Sequence, residues 1–337
     1  MNPTTEVLRP ARDIFRQPPA NIESGDDELF RDAYAYTTFD SSLTTVTNAG
    51  VSADSVVYKN FAPLSESLYR PDSVGYYRFR YLAKMLLTAR KVRLDSSEDF
   101  LIATDQESNG HFHWFTEVLP RLWLMKDRAA EFVLMLPDTL YMRSIAAESL
   151  SLAAIRFKEI FWMQGGVFYK VPRLRQISKV SRTGQMDDEI MRDLNRAFIG
   201  DRPPGTRKFY VSRARARFRK VLNEDEVEVR LKARGFEVIQ PDDWPLAKQI
   251  SAFSECSTLV GIHGAGLTNC LFMPPGGKVV ELLKREPNHG YWHLAESVGH
   301  EYFYYHGIPD SDLSLIGRGC NLTIPLDDFE ERILRVL

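Results

Sequence analysis

Cysteine is scarce in this chain and irregularly placed. Cys256, Cys270 and Cys320 are odd in number and far apart, which excludes a disulfide framework and any common zinc spacing and suits a reducing compartment. Long hydrophobic runs are missing too. No uncharged stretch approaches the ~18 apolar residues of a membrane-spanning helix, and the opening MNPTTEVLRPARDIF lacks the apolar core of a signal peptide. A cytoplasmic protein is therefore expected. Nor does one sign of charge dominate. With 43 Lys and Arg against 45 Asp and Glu, the formal net charge of -2 argues against a general nucleic-acid binder, so any basic surface must be local. The glycine order of a dinucleotide-binding fingerprint and the G-K-[ST] of a P-loop are both absent.

What is present is a chain of 337 residues, 44% apolar and 26% charged, enough for two ordinary globular domains. Residues 1–97 are the least regular part. Pro18-Pro19 suggests a loose lead-in, Asp40–Val57 suggests short strands around a turn near Gly50, and Tyr76–Arg90 has helical apolar spacing with basic residues at its end. From Asp99 strands and helices alternate. Phe100–Ala103, Glu131–Leu136 and Glu159–Met163 read as strands, and Asn109–Arg121 and Tyr141–Ala154 as helices, which predicts a parallel sheet. A helix over Asp187–Ile199 and the linker DRPPGTR (Asp201–Arg207) follow. The alternation then restarts with strand Phe209–Ser212, helix Glu224–Arg234 closed by Gly235, strand Phe236–Ile239 and helix Leu246–Glu255. Further on, Tyr291–Val298 reads as a helix and Tyr302–Tyr305 as a strand. The expected organisation is an N-terminal segment 1–97 packed on the first domain, α/β domains at 98–200 and 201–325 facing each other across a cleft, and a C-terminal helix at 326–337.

The second half is organised around Thr258–Leu283, TLVGIHGAGLTNCLFMPPGGKVVELL. An apolar run ends in His263-Gly264-Ala265-Gly266, a short amphipathic segment follows, and a Pro-Pro-Gly-Gly turn leads to a second apolar run. This is strand, glycine loop, helix, turn, strand, the right-handed crossover of a parallel sheet. Its loop lies at the carboxyl end of a strand, where open α/β sheets bind ligands. Glycine loops of this kind more often serve turn geometry alone. Here His263, Gly264, Gly266, Thr268, Asn269 and a polar Glu281 inside an apolar strand coincide, which favours a phosphate cradle with the amides around Ala265 facing an anion and Glu281 holding ribose hydroxyls.

Three other stretches carry chemistry or its appearance. Arg207–Lys220 (RKFYVSRARARFRK) holds seven basic residues directly after a strand, so Arg213, Arg217 and Arg219 could clamp a diphosphate. Read alone, such a run is a solvated loop or an RNA-binding patch. His113 and Glu117 are four apart and share a helix face, where a carboxylate beside an imidazole can serve as a general base. Pro120 must kink or restart that helix. Asn288–His306 contains four of the seven histidines, at spacings that match no common zinc site and fit a buried helix and strand. Asp310-Ser311-Asp312 matches the D-x-D of metal-dependent sugar transferases, but a three-residue match arises easily by chance.

Taken together, Tyr210-Val211-Ser212-Arg213, the basic stretch up to Asn223-Glu224, His263-Gly264-Ala265-Gly266-Leu267-Thr268-Asn269 and Val279-Val280-Glu281-Leu282 resemble glycosyltransferase family 61. His113-Trp114-x-x-Glu117-x-x-Pro120 is a weaker match. The resemblance implies an α/β fold of GT-B type, two Rossmann-like domains facing across a cleft, with the nucleotide sugar on the C-terminal one. It implies an inverting transfer from a nucleoside-diphosphate sugar, UDP foremost, to a glycan or glycolipid hydroxyl, with no divalent metal or other cofactor. Carried over by motif, Arg213, Arg217, Arg219, His263, Gly264, Ala265, Gly266, Thr268, Asn269 and Glu281 would bind the nucleotide sugar. His113 and Glu117 would sit near the acceptor, with Glu117 as base. Eukaryotic members of the family carry a signal or anchor. The chain therefore resembles a bacterial relative making capsule or other surface polysaccharide in the cytoplasm, peripheral to the inner face of the membrane or to an assembly complex. Two other readings are a non-catalytic nucleotide- or glycan-binding module on the same fold and an RNA-binding protein using Arg207–Lys220. Net charge and the lack of an aromatic stacking platform argue against the latter.

Overall fold

A computed structural model of the chain describes residues 4–316 and 319–337. Residues 1–3 of the expected N-terminal segment and 317–318 of the expected second domain lie outside the described residues. The chain divides into two compact units, one holding the residues up to Arg12 with Thr37–Arg182, the other Asp13–Tyr36 with Thr183–Leu337. Residues 13–36, read in the sequence as part of the N-terminal segment, thus belong to the second unit. Their backbone is stitched there by Ala20 N–H to the Tyr302 carbonyl at 2.8 Å, and Phe30 packs edge-on against Trp292.

The first unit is built on a nine-stranded sheet. Its strands are β1 (Thr5–Arg9), β2 (Ser41–Ser52), β3 (Val57–Lys59), β4 (Ala62–Pro63), β5 (Arg90–Arg93), β6 (Phe100–Ile102), β7 (Val133–Pro137), β8 (Glu159–Met163) and β9 (Val167–Ile177). The order is β8-β7-β6-β9-β2-β3-β4, with β1 on β2 and β5 on β9. The expected parallel sheet is present on one side only. β8, β7, β6 and β9 run parallel, whereas β9 meets β2 antiparallel and β3 and β4 continue as antiparallel hairpins. Within Asp40–Val57, Ser41–Ser52 is accordingly one long strand with Gly50 inside it, and the turn comes after Ser52. Gly50 is required by packing, because a Cβ there would lie 2.4 Å from Cζ of Phe168.

The central strand β9 is the element sequence patterning does not show. Pro172 interrupts it, and proline is normally excluded from central strands because it cannot donate to the ladder. On one edge, however, β9 pairs with β5 through Lys170 and with β6 only from Leu174. Pro172 falls in that gap, where its missing N–H costs no hydrogen bond.

The second unit holds a five-stranded sheet of β10 (Arg207–Val211), β11 (Phe236–Ile239), β12 (Cys256–Ile262), β13 (Lys278–Leu283) and β14 (Glu301–His306). The order is β11-β10-β12-β13-β14, and every pairing is parallel. Strands covered on both faces need near-continuous apolar runs, and β12 and β13 supply them. From β10 the chain turns to one side for β11 and then crosses to the other for β12. The switch point of this doubly wound sheet is therefore between the carboxyl ends of β10 and β12.

Candidate active site: an anion cradle and a histidine–glutamate pair

Arg213 and the His263-Gly264-Ala265-Gly266 loop lie at this switch point. The segment expected as an amphipathic helix is a 3₁₀ helix, Ala265–Phe272, and Leu267–Phe272 are all buried. The amphipathic pattern fails because helix Asp188–Ile199 covers its outer side. Nδ2 of Asn195 donates to the carbonyls of Leu271 and Met273 at 2.7 and 2.9 Å, fixing the end of the turn. The first bond inside the turn runs from Leu267 N–H to the Gly264 carbonyl at 3.0 Å. The amides of Ala265 and Gly266 precede it and have no partner within the helix. Both residues are part-exposed.

The two glycines permit close approach. A Cβ on Gly264 would stand 2.6 Å from Nη1 of Arg213, and one on Gly266 2.7 Å from Cγ1 of Val211. Only glycine lets the guanidinium lie on the loop and the loop lie on the end of β10. Arg213 is held on its other side, with Nε donating to the Arg219 carbonyl at 3.1 Å and Nη2 to that of Phe218 at 3.2 Å. Its own N–H donates to Oε1 of Glu224 at 3.0 Å, an atom that also accepts from the Tyr210 hydroxyl at 2.9 Å. Glu224, which begins the next helix, thus anchors the arginine loop.

Arg219 adds a second guanidinium in a strained setting. Its φ of +57° is left-handed, and its Nε is buried without a hydrogen-bond partner. Burial, followed by the charge of Arg213, pushes its pKa down. Two guanidiniums crowd here, and no carboxylate forms an ion pair with either among the described residues. An anion would relieve both. Arg217 lies outside this cluster, exposed, with its guanidinium over the Phe218 ring at 5.3 Å.

Glu281 does not face a ligand. It is fully buried in β13, with Oε1 2.5 Å from Nδ1 of His263 and Oε2 accepting from the Tyr302 hydroxyl at 2.6 Å. With both oxygens engaged and no exposed surface, it presents nothing to a ribose, which corrects the role expected of it. It holds the His263 ring through Nδ1. Burial and then the Glu281 charge push the Tyr302 phenol well up, so it remains a donor. Nδ2 of Asn288 lies 3.2–3.3 Å from the His263 ring, and Tyr291 packs edge-on against it. Asn269 donates back to the Gly266 carbonyl at 3.2 Å, while its Oδ1 is buried without a partner. Thr268 is fully buried beneath the loop.

The first unit carries the other expected pair, at the carboxyl end of β6. Residues 111–123 are helical through Pro120, with a widened π turn at Trp114–Val118 just before the proline. Nδ1 of His113 is 2.6 Å from Oε1 of Glu117. Glu117 is the more buried of the two, and its Oε2 has no partner. Burial depresses the His113 pKa, but the bond to Glu117 and the charges of Glu117, Glu107 and Asp105 outweigh it, leaving a net rise. Beneath the pair Arg121 is fully buried, donating to the Glu117 and Ala103 carbonyls at 2.9 and 2.5 Å and to Asp105 at 3.2 Å. His111 is not part of the pair. Burial pushes it down to about 4, and it packs on Phe115 and Tyr141.

Among the described residues, no group of three or more His, Cys, Asp or Glu side chains is placed to hold a metal ion. His293 faces the carbonyls of Gly184 and Ala33, and His300 that of Cys270, as a packed core requires. Asp310 is occupied by Asn321 at 2.7 Å.

A family profile described as Glycosyltransferase 61 matches residues 111–280, from the helix of His113 to β13. The chain belongs to glycosyltransferase family 61. It is 33% identical over 142 residues to the EGF domain-specific O-linked N-acetylglucosamine transferase of Drosophila melanogaster, covering 41% of this chain and 26% of that protein. To the enzyme of the same name from Mus musculus it is 26% identical over 170 residues, 49% of this chain and 32% of the other. To the alpha-1,3-arabinosyltransferase XAT3 of Oryza sativa subsp. japonica it is 36% identical over 73 residues, 20% and 12% respectively. The chain thus spans about a third or less of the length of these relatives. The family match takes in the histidine–glutamate pair, the arginine loop and the glycine loop. Glu224, Asn288 and Tyr302, which hold this machinery in place, carry no site role in the sequence reading. Asn288 and Tyr302 lie in the histidine-rich stretch, whose aromatic content masks them as core.

Proposed function

We propose that this family 61 chain transfers a sugar from a nucleoside-diphosphate donor, UDP foremost, to a glycan or glycolipid hydroxyl, inverting the anomeric carbon. The observation that carries the reading is the crowding of Arg213 and Arg219, with no carboxylate paired to either among the described residues, at the switch point beside the amides of Ala265 and Gly266, which have no partner within the turn. As the sugar leaves, negative charge grows on the diphosphate. Guanidiniums and amides already aimed at that position stabilise it with no reorganisation at the moment of reaction. His263, clamped by Glu281, donates to the same anion. Each arginine contact is worth about 1.5–3 kcal/mol, so two can take the share a divalent ion supplies elsewhere.

In the first unit the His113–Glu117 pair removes the acceptor proton. With Nδ1 tied to Glu117, the ring presents Nε2 as the proton acceptor, and Glu117 orients the ring and stabilises its charged form. This assigns Glu117 an orienting role instead of the direct base role its sequence position suggested. The names of the relatives put N-acetylglucosamine and arabinose forward as donor sugars, and surface polysaccharide is the acceptor class we favour.

A thermal-shift screen against nucleoside diphosphates and their sugars, with and without EDTA, tests this reading. A ligand that binds only the folded chain raises its melting temperature. The expected result is a rise with one nucleoside diphosphate that EDTA leaves unchanged. No rise with any of them would refute the reading, and a rise that EDTA abolishes would return the leaving-group role to a metal.

A further inference from the structure

Helix 74–88 of the first unit has two contrasting faces. Leu82, Met85 and the following Ala89 are buried against Tyr58 and Phe168. On the other side Phe79, Ala83 and Leu87 succeed one another four residues apart and are all exposed, Phe79 by 68% and Leu87 by 85%. A surface helix of a globular protein ordinarily turns polar residues outward. Here an apolar stripe faces out, and cations flank it. Between Ser73 and Leu94 the chain holds Arg78, Arg80, Lys84, Arg90, Lys91 and Arg93 and no Asp or Glu. None of the six forms an ion pair among the described residues. A chain with a net charge of -2 has concentrated positive charge in this one stretch.

A further exposed aromatic stands by the buried side of this helix, at Leu82. Asn60 and Phe61, at the turn from β3 to β4, both have left-handed backbones, with φ of +50° and +64°. That conformation is unusual for a bulky aromatic residue and strained, yet Phe61 is 70% exposed. Phe61 and Leu82 line one cavity together with Arg93 and Lys170. The last two are register partners on the parallel strands β5 and β9, so two cations stand side by side at its wall.

We propose that this face docks on an anionic phospholipid surface. The stripe Phe79–Ala83–Leu87 enters the boundary between headgroups and acyl chains, and the flanking cations meet lipid phosphates. An exposed aliphatic Leu87 beside Ala83 gains nothing from a nucleic-acid backbone, whereas the acyl boundary takes it out of water. A second copy of the chain would bring six cations against six, which opposes self-association. Docking here is independent of the sugar-transfer reading and stands or falls without it.

Sedimentation of the full chain with vesicles tests the proposal. Wild type should sediment with equal-parts phosphatidylcholine and phosphatidylglycerol vesicles, not with phosphatidylcholine alone, and should release as salt rises. Each juxtamembrane cation contributes about fivefold in partitioning, so R78Q/R80Q/K84Q should weaken binding on the order of a hundredfold. F79S/L87S, at unchanged charge, should weaken it at least roughly tenfold. Circular dichroism establishes that both variants stay folded. Equal sedimentation with both vesicle types, or binding untouched by F79S/L87S, would overturn the proposal. So would tighter binding to RNA than to vesicles, or a stable dimer in light scattering that F79S/L87S splits.

Discussion

Nδ1 of His263 lies 2.5 Å from Oε1 of Glu281, a carboxylate with no exposed surface. The two residues stand at the carboxyl ends of adjacent parallel strands, and Tyr302 on the next strand closes the other oxygen. Hydrogen bonds to a charged group are worth about 1.5–3 kcal/mol, and the protein spends this pair on aiming one imidazole. Glu281→Gln should therefore leave the fold intact and weaken nucleotide binding about tenfold or more in calorimetric titration. Glu281→Ala strands the Tyr302 hydroxyl without a partner and leaves His263 only Asn288, and should cost roughly 3–5 kcal/mol of stability in urea unfolding. Unchanged affinity in Glu281→Gln would return His263 to a packing role.

Gly264→Ala and Gly266→Ala separate two reasons for a glycine. The first drives a methyl to 2.6 Å from the mobile end of Arg213, the second to 2.7 Å from Val211 on β10. Gly264→Ala should shift the melting temperature little and weaken nucleotide binding by displacing the guanidinium. Gly266→Ala should destabilise the second unit by about 1–3 kcal/mol, a cost that Val211→Ala relieves in the double variant. A Gly264→Ala variant with wild-type affinity would remove Arg213 from the ligand.

The sign of the His113 shift fixes a pH dependence. Its folded pKa is raised above the ordinary 6.5, so the pair's contribution to stability is complete below that value and is lost as pH climbs through the raised one. Turnover runs the other way, because only neutral His113 accepts a proton. The rate should rise through an apparent pKa above 6.5 that belongs to the pair. In Glu117→Gln burial is left to depress the imidazole, so the midpoint should fall and the plateau drop by roughly a hundredfold or more. A profile that Glu117→Gln leaves in place would put the base elsewhere.

Arg121 supports that pair from below. It satisfies two backbone carbonyls and Asp105, whose carboxyl burial would raise but Arg121 and Lys179 hold below its ordinary range. Arg121→Met leaves Asp105 buried with Lys179, at 3.6 Å, as its one remaining cation among the described residues. The expected loss is about 3–5 kcal/mol, seen in chemical unfolding of the first unit. A loss below ~1 kcal/mol would show that Lys179 alone neutralises Asp105.

The second sheet was legible because each of its strands is a short apolar run between clear punctuation. Gly235 ends one helix at φ +81°, Pro245 introduces the next, and Pro274–Gly277 separates β12 from β13. The first sheet hid its centre because β9 carries Pro172 and alternating charges that argue against a central strand. The glycine loop was legible as a cradle, but its neighbours were not. Glu281 reads as a ligand-facing carboxylate, since one-dimensional sequence cannot show that His263 and Tyr302 occupy both of its oxygens. Arg217 and Arg219 look equivalent in the basic run, yet only Arg219 turns inward, through a left-handed backbone that no propensity foretells.

The central claim is that guanidinium groups and open amides at the switch point bind the nucleoside diphosphate directly. Calorimetric titration of UDP into wild type, Arg213→Ala and Arg219→Ala in EDTA, each checked for an unchanged melting temperature, tests it most directly. The account predicts metal-free binding by wild type that falls roughly ten- to a hundredfold in either variant. Binding that EDTA abolishes, or that survives intact in both variants, would contradict it.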